Sequence, residues 1–411
     1  MFTNSPLKSI RLKDPLRKNL ELRKKDLLSL QTKISYRELK KDLKERELVQ
    51  QRQKSSSAKR LVDRRFLVKQ LGLDLGTKHI VLAWRDNKNL VKYRYEINGY
   101  LKFDRVDSFL EQLLIKQQVP FVRRGNELIA IGSKAEQIAF NFNKTLCRPM
   151  AEGALSRDDE DAQEIISIII KSIIGQLADD TILYYCTTAK ALNSEKHNVE
   201  FHKKIIKLMI DSYIADNQSI RSYHVNEARC LIMEENGPAI GISWGAGTIT
   251  VHAGIFGVPI FEFAILGAGD WIDIEVAKRF GYDPDHPGRD SRETPTTVCR
   301  KKEKLDLLQE PEGKLEQAIK LMYEILIENV VSQIVKGFNE NRDKYRFDNP
   351  IPIINAGGTC MPTGFIELLT KKINDVKKDM CVPIGDIRKA QEPLFAVSRG
   401  CLLAAELHKD N

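Results

Sequence analysis

With 411 residues and 42% apolar content, the chain is long enough for about two or three ordinary domains, and global disorder is excluded. The formal charge of +9 is uneven: residues 1–70 hold 21 Lys and Arg against 8 Asp and Glu, a net of +13 that leaves −4 for the rest. The chain therefore reads as a basic arm on a mildly acidic body. The seven cysteines, Cys147, Cys186, Cys230, Cys299, Cys360, Cys381 and Cys401, are scattered singly with no CxxC pair. That argues against a disulfide framework or a zinc site and makes a reducing cytoplasm the default. The opening residues are basic and polar, without a signal-peptide pattern. The longest apolar stretch, 165–174, contains Lys171 and falls short of the ~20 residues a membrane span needs, so a buried helix is expected there.

Residues 14–53 are rich in Leu, Lys, Arg, Glu and Gln, all good helix formers. Leu20, Leu27 and Ile34 fall seven apart, a seam too short for a coiled coil. Gln53–Ala58 reads as a linker. A basic, helical or partly disordered extension is expected over 1–65. From Phe66 the texture changes. Strands are expected at 66–73 and 79–84, then at 119–122 and 128–131 around Arg124-Gly-Asn. A helix at 162–177, a strand at 181–186 and a helix at 195–211 follow. Strands at 239–243, 249–255 and 258–264 precede helices at 270–280 and 315–339. A short buried strand at 350–355 and a helix at 396–408 end the chain. Alternating strands and helices mean α/β layers.

Two glycine turns stand out. Leu71–His79 reads LGLDLGTKH and Ile242–Thr250 reads ISWGAGTIT. Each joins two apolar stretches. Duplicated turns imply duplicated halves, and two facing loops can clamp both ends of a polyphosphate. Gly76 lets backbone approach a phosphate without a Cβ in the way. Thr77 and Lys78 can donate to phosphate oxygens. Asp74 would repel a phosphate unless a hydrated divalent cation sits between them. Further on, Leu266–Asp273 sets a glycine turn at a helix start with two acids three apart. Asn355–Thr359 follows a buried strand, where α/β proteins bind ligands. Arg148–Gly153 precedes the amphipathic helix.

In this order the segments resemble the actin-like ATPase superfamily, which shares its fold with heat-shock chaperones and sugar kinases. Asp74–Lys78 resembles its first phosphate motif, Gly245–Thr248 its second, Arg148–Gly153 its first connecting segment and Ala356–Thr359 its adenosine motif. Ala130–Glu136 and Pro393–Gly400 are similar to bacterial actins of the MreB and MamK type. The resemblance implies two ribonuclease-H-like domains with ATP or ADP and Mg2+ in the cleft between them. The first domain would span 66–235, with a small subdomain inserted at about 86–147. The second would span 236–390, and residues 391–411 would form a helix returning to the first.

Carried onto this chain, the family's site assigns the metal to Asp74 and Asp270. Phosphates fall to Gly76, Thr77, Lys78, Gly245, Ala246, Gly247 and Thr248, with Gly269 beside them. Adenosine falls to Gly357, Gly358 and Thr359, with Lys302 and Glu303 from the run Cys299–Lys304. Glu227, in Val225–Arg229, would orient the attacking water alongside Asp74. The family usually has acids where this chain has Ser243 and Thr250, so hydrolysis would be slow or absent. Trp244 is large for such a turn, and Gly281–Lys314 is short for the family's second small subdomain. The function implied is a nucleotide-dependent cytoskeletal filament, the protein itself being the partner. The alternatives are a non-polymerising ATP switch, adaptor or chaperone-like protein, and a small-molecule kinase. The basic arm is expected to bind an anionic membrane surface, nucleic acid or an acidic protein. The expected location is the cytoplasm, including the membrane periphery.

Overall fold

The computed structural model describes residues 65–66, 69–104, 108–141, 144, 146–156, 159–195, 197, 199–214, 220–255, 258–284, 293–347 and 349–408. The expected helical extension lies outside the described residues up to its last position. Arg65 belongs instead to a short strand, β1 (Arg65–Phe66). Three strands follow: β2 (Gln70–Leu75), β3 (His79–Arg85) and β4 (Val91–Ile97), each antiparallel to the last. A small unit comes next, with β5 (Tyr100–Phe103), α1 (Ser108–Lys116), β6 (Phe121–Arg124), β7 (Glu127–Ile131) and α2 (Ser133–Asn141). Its three strands form a separate sheet with its own core, including Leu101, Phe103, Leu114 and Leu128. The hairpin β8 (Met150–Ala151) and β9 (Ala154–Leu155) leads into α3 (Ala162–Ile174). Then come β10 (Gln176–Leu177), β11 (Ile182–Thr187), α4 (Val199–Ile214), β12 (Arg221–Asn226) and a 3-10 turn at Arg229–Ile232.

The second half repeats the plan. Strands β13 (Pro238–Trp244), β14 (Thr248–Ile255) and β15 (Val258–Leu266) form an antiparallel meander. Helices α5 (Gly269–Arg279), α6 (Pro295–Lys302) and α7 (Lys314–Glu340) follow. The chain closes with β16 (Ile351–Ala356), a 3-10 turn at Gly358–Cys360, α8 (Phe365–Asp375), β17 (Ile384–Lys389) and α9 (Ala396–Glu406). The five-stranded sheets run β4-β3-β2-β11-β12 and β15-β14-β13-β16-β17. In each, a meander is extended by two parallel strands beside its first strand. One topology used twice is the two-domain, ribonuclease-H-like architecture anticipated above. Among the described residues no helix is long and apolar enough to cross a membrane.

Several boundaries differ from expectation for local reasons. Helix α3 buries Ile165, Ile166, Ile169, Ile170 and Ile173 at helical spacing, but stops at Ile174. Gly175 adopts φ 65, a backbone open mainly to glycine, and its N–H bonds the Lys171 carbonyl. The expected last turn at Gln176–Leu177 instead pairs in parallel with β1. Strand β2 is buried on both faces. Leu71, Leu73 and Leu75 join the core under α3, while Gly72 lies against the backbone of α9.

That contact leaves no room for a side chain. A Cβ on Gly72 would stand 2.2 Å from both the Ser398 carbonyl oxygen and the Leu402 nitrogen. Neither can yield without moving a helix. Gly72→Ala is therefore expected to cost more than about 3 kcal/mol and to remove most soluble, cooperatively melting protein. Gly237→Ala, where a Cβ meets nothing within 4 Å, serves as the control and should melt like the parent.

Candidate functional site

The two glycine turns have the same internal geometry. Gly76 N–H donates to the His79 carbonyl at 3.0 Å, and Gly245 N–H to the Thr248 carbonyl at 3.0 Å. A Cβ on either glycine would lie 2.7 Å from that carbonyl oxygen. Glycine is thus dictated at both places by the turn itself.

The turns also meet. Gly153 N–H donates to Thr77 Oγ1 at 3.1 Å. A Cβ on Gly247 would lie 2.7 Å from Thr77 Oγ1 and 2.9 Å from the Glu152 nitrogen, and one on Gly153 would lie 2.9 Å from Thr248 Oγ1. The β8–β9 hairpin, with Glu152 and Gly153 at φ 51 and 71, is wedged between them. Thr77, Gly153, Gly247 and Thr248 therefore share one small space, though nearly 170 residues separate the two turns in sequence.

The second turn is braced from behind. Its Gly245 carbonyl accepts from Thr359 Oγ1 at 2.7 Å and from Gly269 N–H at 3.3 Å, and the Ala246 carbonyl accepts from Asp270 N–H at 2.9 Å. Gly357 adopts φ 96, and a Cβ there would lie 2.4 Å from the Trp244 carbonyl oxygen. Residues 357–359 and 269–270 are thus gathered at the second turn. Trp244, whose bulk was unexpected, points away from it. Its indole N–H donates to Asn355 Oδ1 at 2.8 Å and its ring packs edge-on against Phe365 in the core.

Lys302 differs from its expected place as a ligand contact. It is 5% exposed, pairs with Asp273 at 2.7 Å and donates to the Gly269 carbonyl at 2.6 Å. It braces the site from inside and does not line it. Its neighbour Glu303 accepts from Lys78 Nζ at 2.9 Å. Arg148 donates to Asp270 at 2.5 Å. These two ion pairs tie the first turn and the connecting segment to α6 and α5. Asp270, assigned above to the metal, thus has a guanidinium partner, which sequence reasoning missed.

Asp74 and Glu227 interact electrostatically in densely packed surroundings and keep part of their surface. Burial, and then the charge of Glu227, push the Asp74 carboxyl up to about 8. The Cys186 thiol donates to it at 3.4 Å. Burial also raises Glu227, opposed by hydrogen bonds from Ser243 and Thr250. Two carboxyl groups made costly to ionise side by side favour a bound proton or a cation. No cluster of three or more acidic, His or Cys side chains that could hold a metal occurs among the described residues. A cage made only of protein is therefore not what these residues offer. One or two carboxylates completed by ligand phosphates and water is the arrangement magnesium commonly accepts.

The twice-used sheet topology and facing glycine turns define an actin-like fold. A solved MamK double helical filament has 18% identity, covers 82% of this chain and 99% of its own, and superposes with a TM-score of 0.59. MreB5 of Spiroplasma citri bound to ADP has 15% identity, covers 82% and 95%, and gives 0.51. At these identities the likeness concerns the fold. No curated protein matches the sequence. The Volactin family model matches residues 70–405, and the chain belongs to the volactin family.

The raised carboxyl sets a pH dependence. A folded pKa near 8 against an ordinary 3.8 means that ionising Asp74 opposes folding, so its contribution worsens as pH climbs from about 4 to about 8 and is level beyond. Asp74→Asn, without added nucleotide or magnesium, should melt about 5 °C above the parent at pH 8.5 and alongside it near pH 4. Equal melting at both pH values would contradict this electrostatic account.

Proposed function

We propose that the chain is an actin-like nucleotide-binding protein that assembles into filaments in a nucleotide-dependent way, with slow ATP hydrolysis. The observation that carries this reading is the convergence of Thr77, Gly153, Gly247 and Thr248 at one place, where neither glycine has room for a side chain. In it, Gly76, Thr77, Lys78, Gly245, Ala246, Gly247 and Thr248 bind the phosphates of ATP or ADP. Gly357, Gly358 and Thr359 support the adenosine, with Glu303 at its edge and Gly269 behind. Asp74 and Asp270, the latter now paired with Arg148, would hold hydrated Mg2+, and the ion would neutralise phosphate charge. Glu227 orients the attacking water, since phosphoryl transfer needs mostly positioning and charge stabilisation.

The first domain in this reading spans 66–235 and carries the insertion at about 86–147, the second covers 236–390, and residues 391–411 return to the first. ATP bridging the two turns would favour subunit contacts. A MamK structure is itself a filament and the MreB5 structure holds ADP, which lends support by likeness of fold. The basic arm would tether the filament to an anionic partner. Ser243 and Thr250 stand where the resemblance expects acids, which fits slow turnover; hydrolysis lost altogether would fit the second reading, a non-polymerising switch or adaptor.

High-speed sedimentation with ATP, with ADP and without nucleotide tests the proposal, using the full chain and residues 63–411. The body should pellet with ATP and stay in solution without it. Gly247→Ala, which forces the turns apart, should abolish the ATP-dependent pellet and weaken ATP binding by about tenfold or more. ATP binding without pelleting in any state would replace the filament with the switch.

A further inference from the structure

Two departures from the family pattern, Ser243 and Thr250, meet on one side chain. They form a directly opposed cross-strand pair in the β13–β14 ladder. From that pair Ser243 Oγ donates to Glu227 Oε1 at 2.5 Å, and Thr250 Oγ1 donates to Glu227 Oε2 at 3.1 Å. Behind them Thr188 Oγ1 lies 2.7 Å from Thr250 Oγ1. A hydroxyl has one proton to give. Because the Thr250 proton goes to Glu227, Thr188 must donate to Thr250. The order Thr188 to Thr250 to Glu227 is thus set by counting protons.

The three hydroxyl residues are buried, at 2%, 0% and 3% exposure for Ser243, Thr250 and Thr188. Glu227 keeps part of its surface. Its backbone is held too. Glu227 N–H donates to the Thr187 carbonyl at 3.2 Å, and Asn226 Oδ1 accepts from the N–H groups of Ala228 and Arg229. A carboxylate offers about four lone-pair sites, so a grip on both oxygens leaves sites for water. Acids at 243 and 250 would instead crowd two more negative charges against Glu227.

We propose that Ser243 and Thr250, backed by Thr188, are positioning residues that clamp both oxygens of Glu227 so that its remaining lone pairs aim at the attacking water. This rests on the reading of Glu227 as the water-orienting residue in ATP hydrolysis. In that step the water oxygen bonds to the terminal phosphorus and the bond to the bridging oxygen of ADP breaks. The water's proton leaves with the released phosphate. The clamp touches no reacting atom. It fixes the direction of the one that does.

The test is phosphate release by the full chain, measured with ATP affinity by calorimetry. Ser243→Ala and Thr250→Val should each lower kcat by about tenfold and leave ATP affinity within about twofold. Thr250→Ser, which restores the donor, should recover most of the loss seen with Thr250→Val. In a Glu227→Ala background neither change should matter further, because the clamp has nothing left to hold. Ser243→Ala removes a single buried oxygen and carries the test if Thr250→Val fails to fold. Unchanged kcat in Ser243→Ala, or equal losses in kcat and ATP affinity, would overturn the clamp. A parent protein that binds ATP but releases no phosphate also overturns it while leaving the nucleotide reading in place. A parent that binds no ATP defeats the nucleotide reading itself.

Discussion

Thr77 and Gly247 approach so closely that a methyl group cannot stand between them. Each belongs to a turn whose first glycine is required by its own hydrogen bond. The constraint reaches outward from there. The hairpin carrying Gly153 must enter the same space, so Glu152 and Gly153 take left-handed backbone conformations. Thr359, Gly269 and Asp270 must reach the carbonyls of the second turn, which dictates where β16 ends and α5 begins. At the base, α9 lies on the bare backbone of Gly72 and thereby ties the end of the chain to its first sheet.

Charge follows the same geometry. Lys78 and Arg148 come from the first sheet and its connecting segment, and each finds an acid on the helices after the second turn. These are partly exposed pairs of modest energy, suited to exchange with an anionic ligand rather than to permanent closure. Asp74 and Glu227 lie on the other side of the balance. Among the described residues they are crowded together with hydroxyl and thiol donors around them. In the proposed reading, exchangeable cations next to carboxyl groups that are costly to ionise would let the site respond to phosphate and divalent metal together.

Much of this was legible in the sequence where the signal is local. The strands flanking both turns are apolar runs, and the isoleucine stripe of α3 repeats at helical spacing. Strand β4 was missed because VKYRYEI alternates charge with aromatic residues at a sheet edge and lacks a buried run. Helix α8 was missed although Phe365, Leu368, Leu369 and Ile373 mark a clear buried stripe, a pattern that was available. Lys302 was assigned to the adenosine from its basic run, but α6 turns it inward onto Asp273. The grip of Ser243 and Thr250 on Glu227 has no local signature. It arises because the end of β12 packs against a strand pair from the other sheet. Sequence comparison flagged both residues as departures, yet only packing shows that they act on one carboxylate.

The claim at the centre is that two distant glycine turns act as a single phosphate clamp. Hydrogen exchange of backbone amides in the full chain, with and without ATP and magnesium, tests it most directly. The account expects the amides of residues 76–78 and 245–248 to slow together on addition of ATP. Protection of one turn alone, or of neither while ATP is bound, would contradict it.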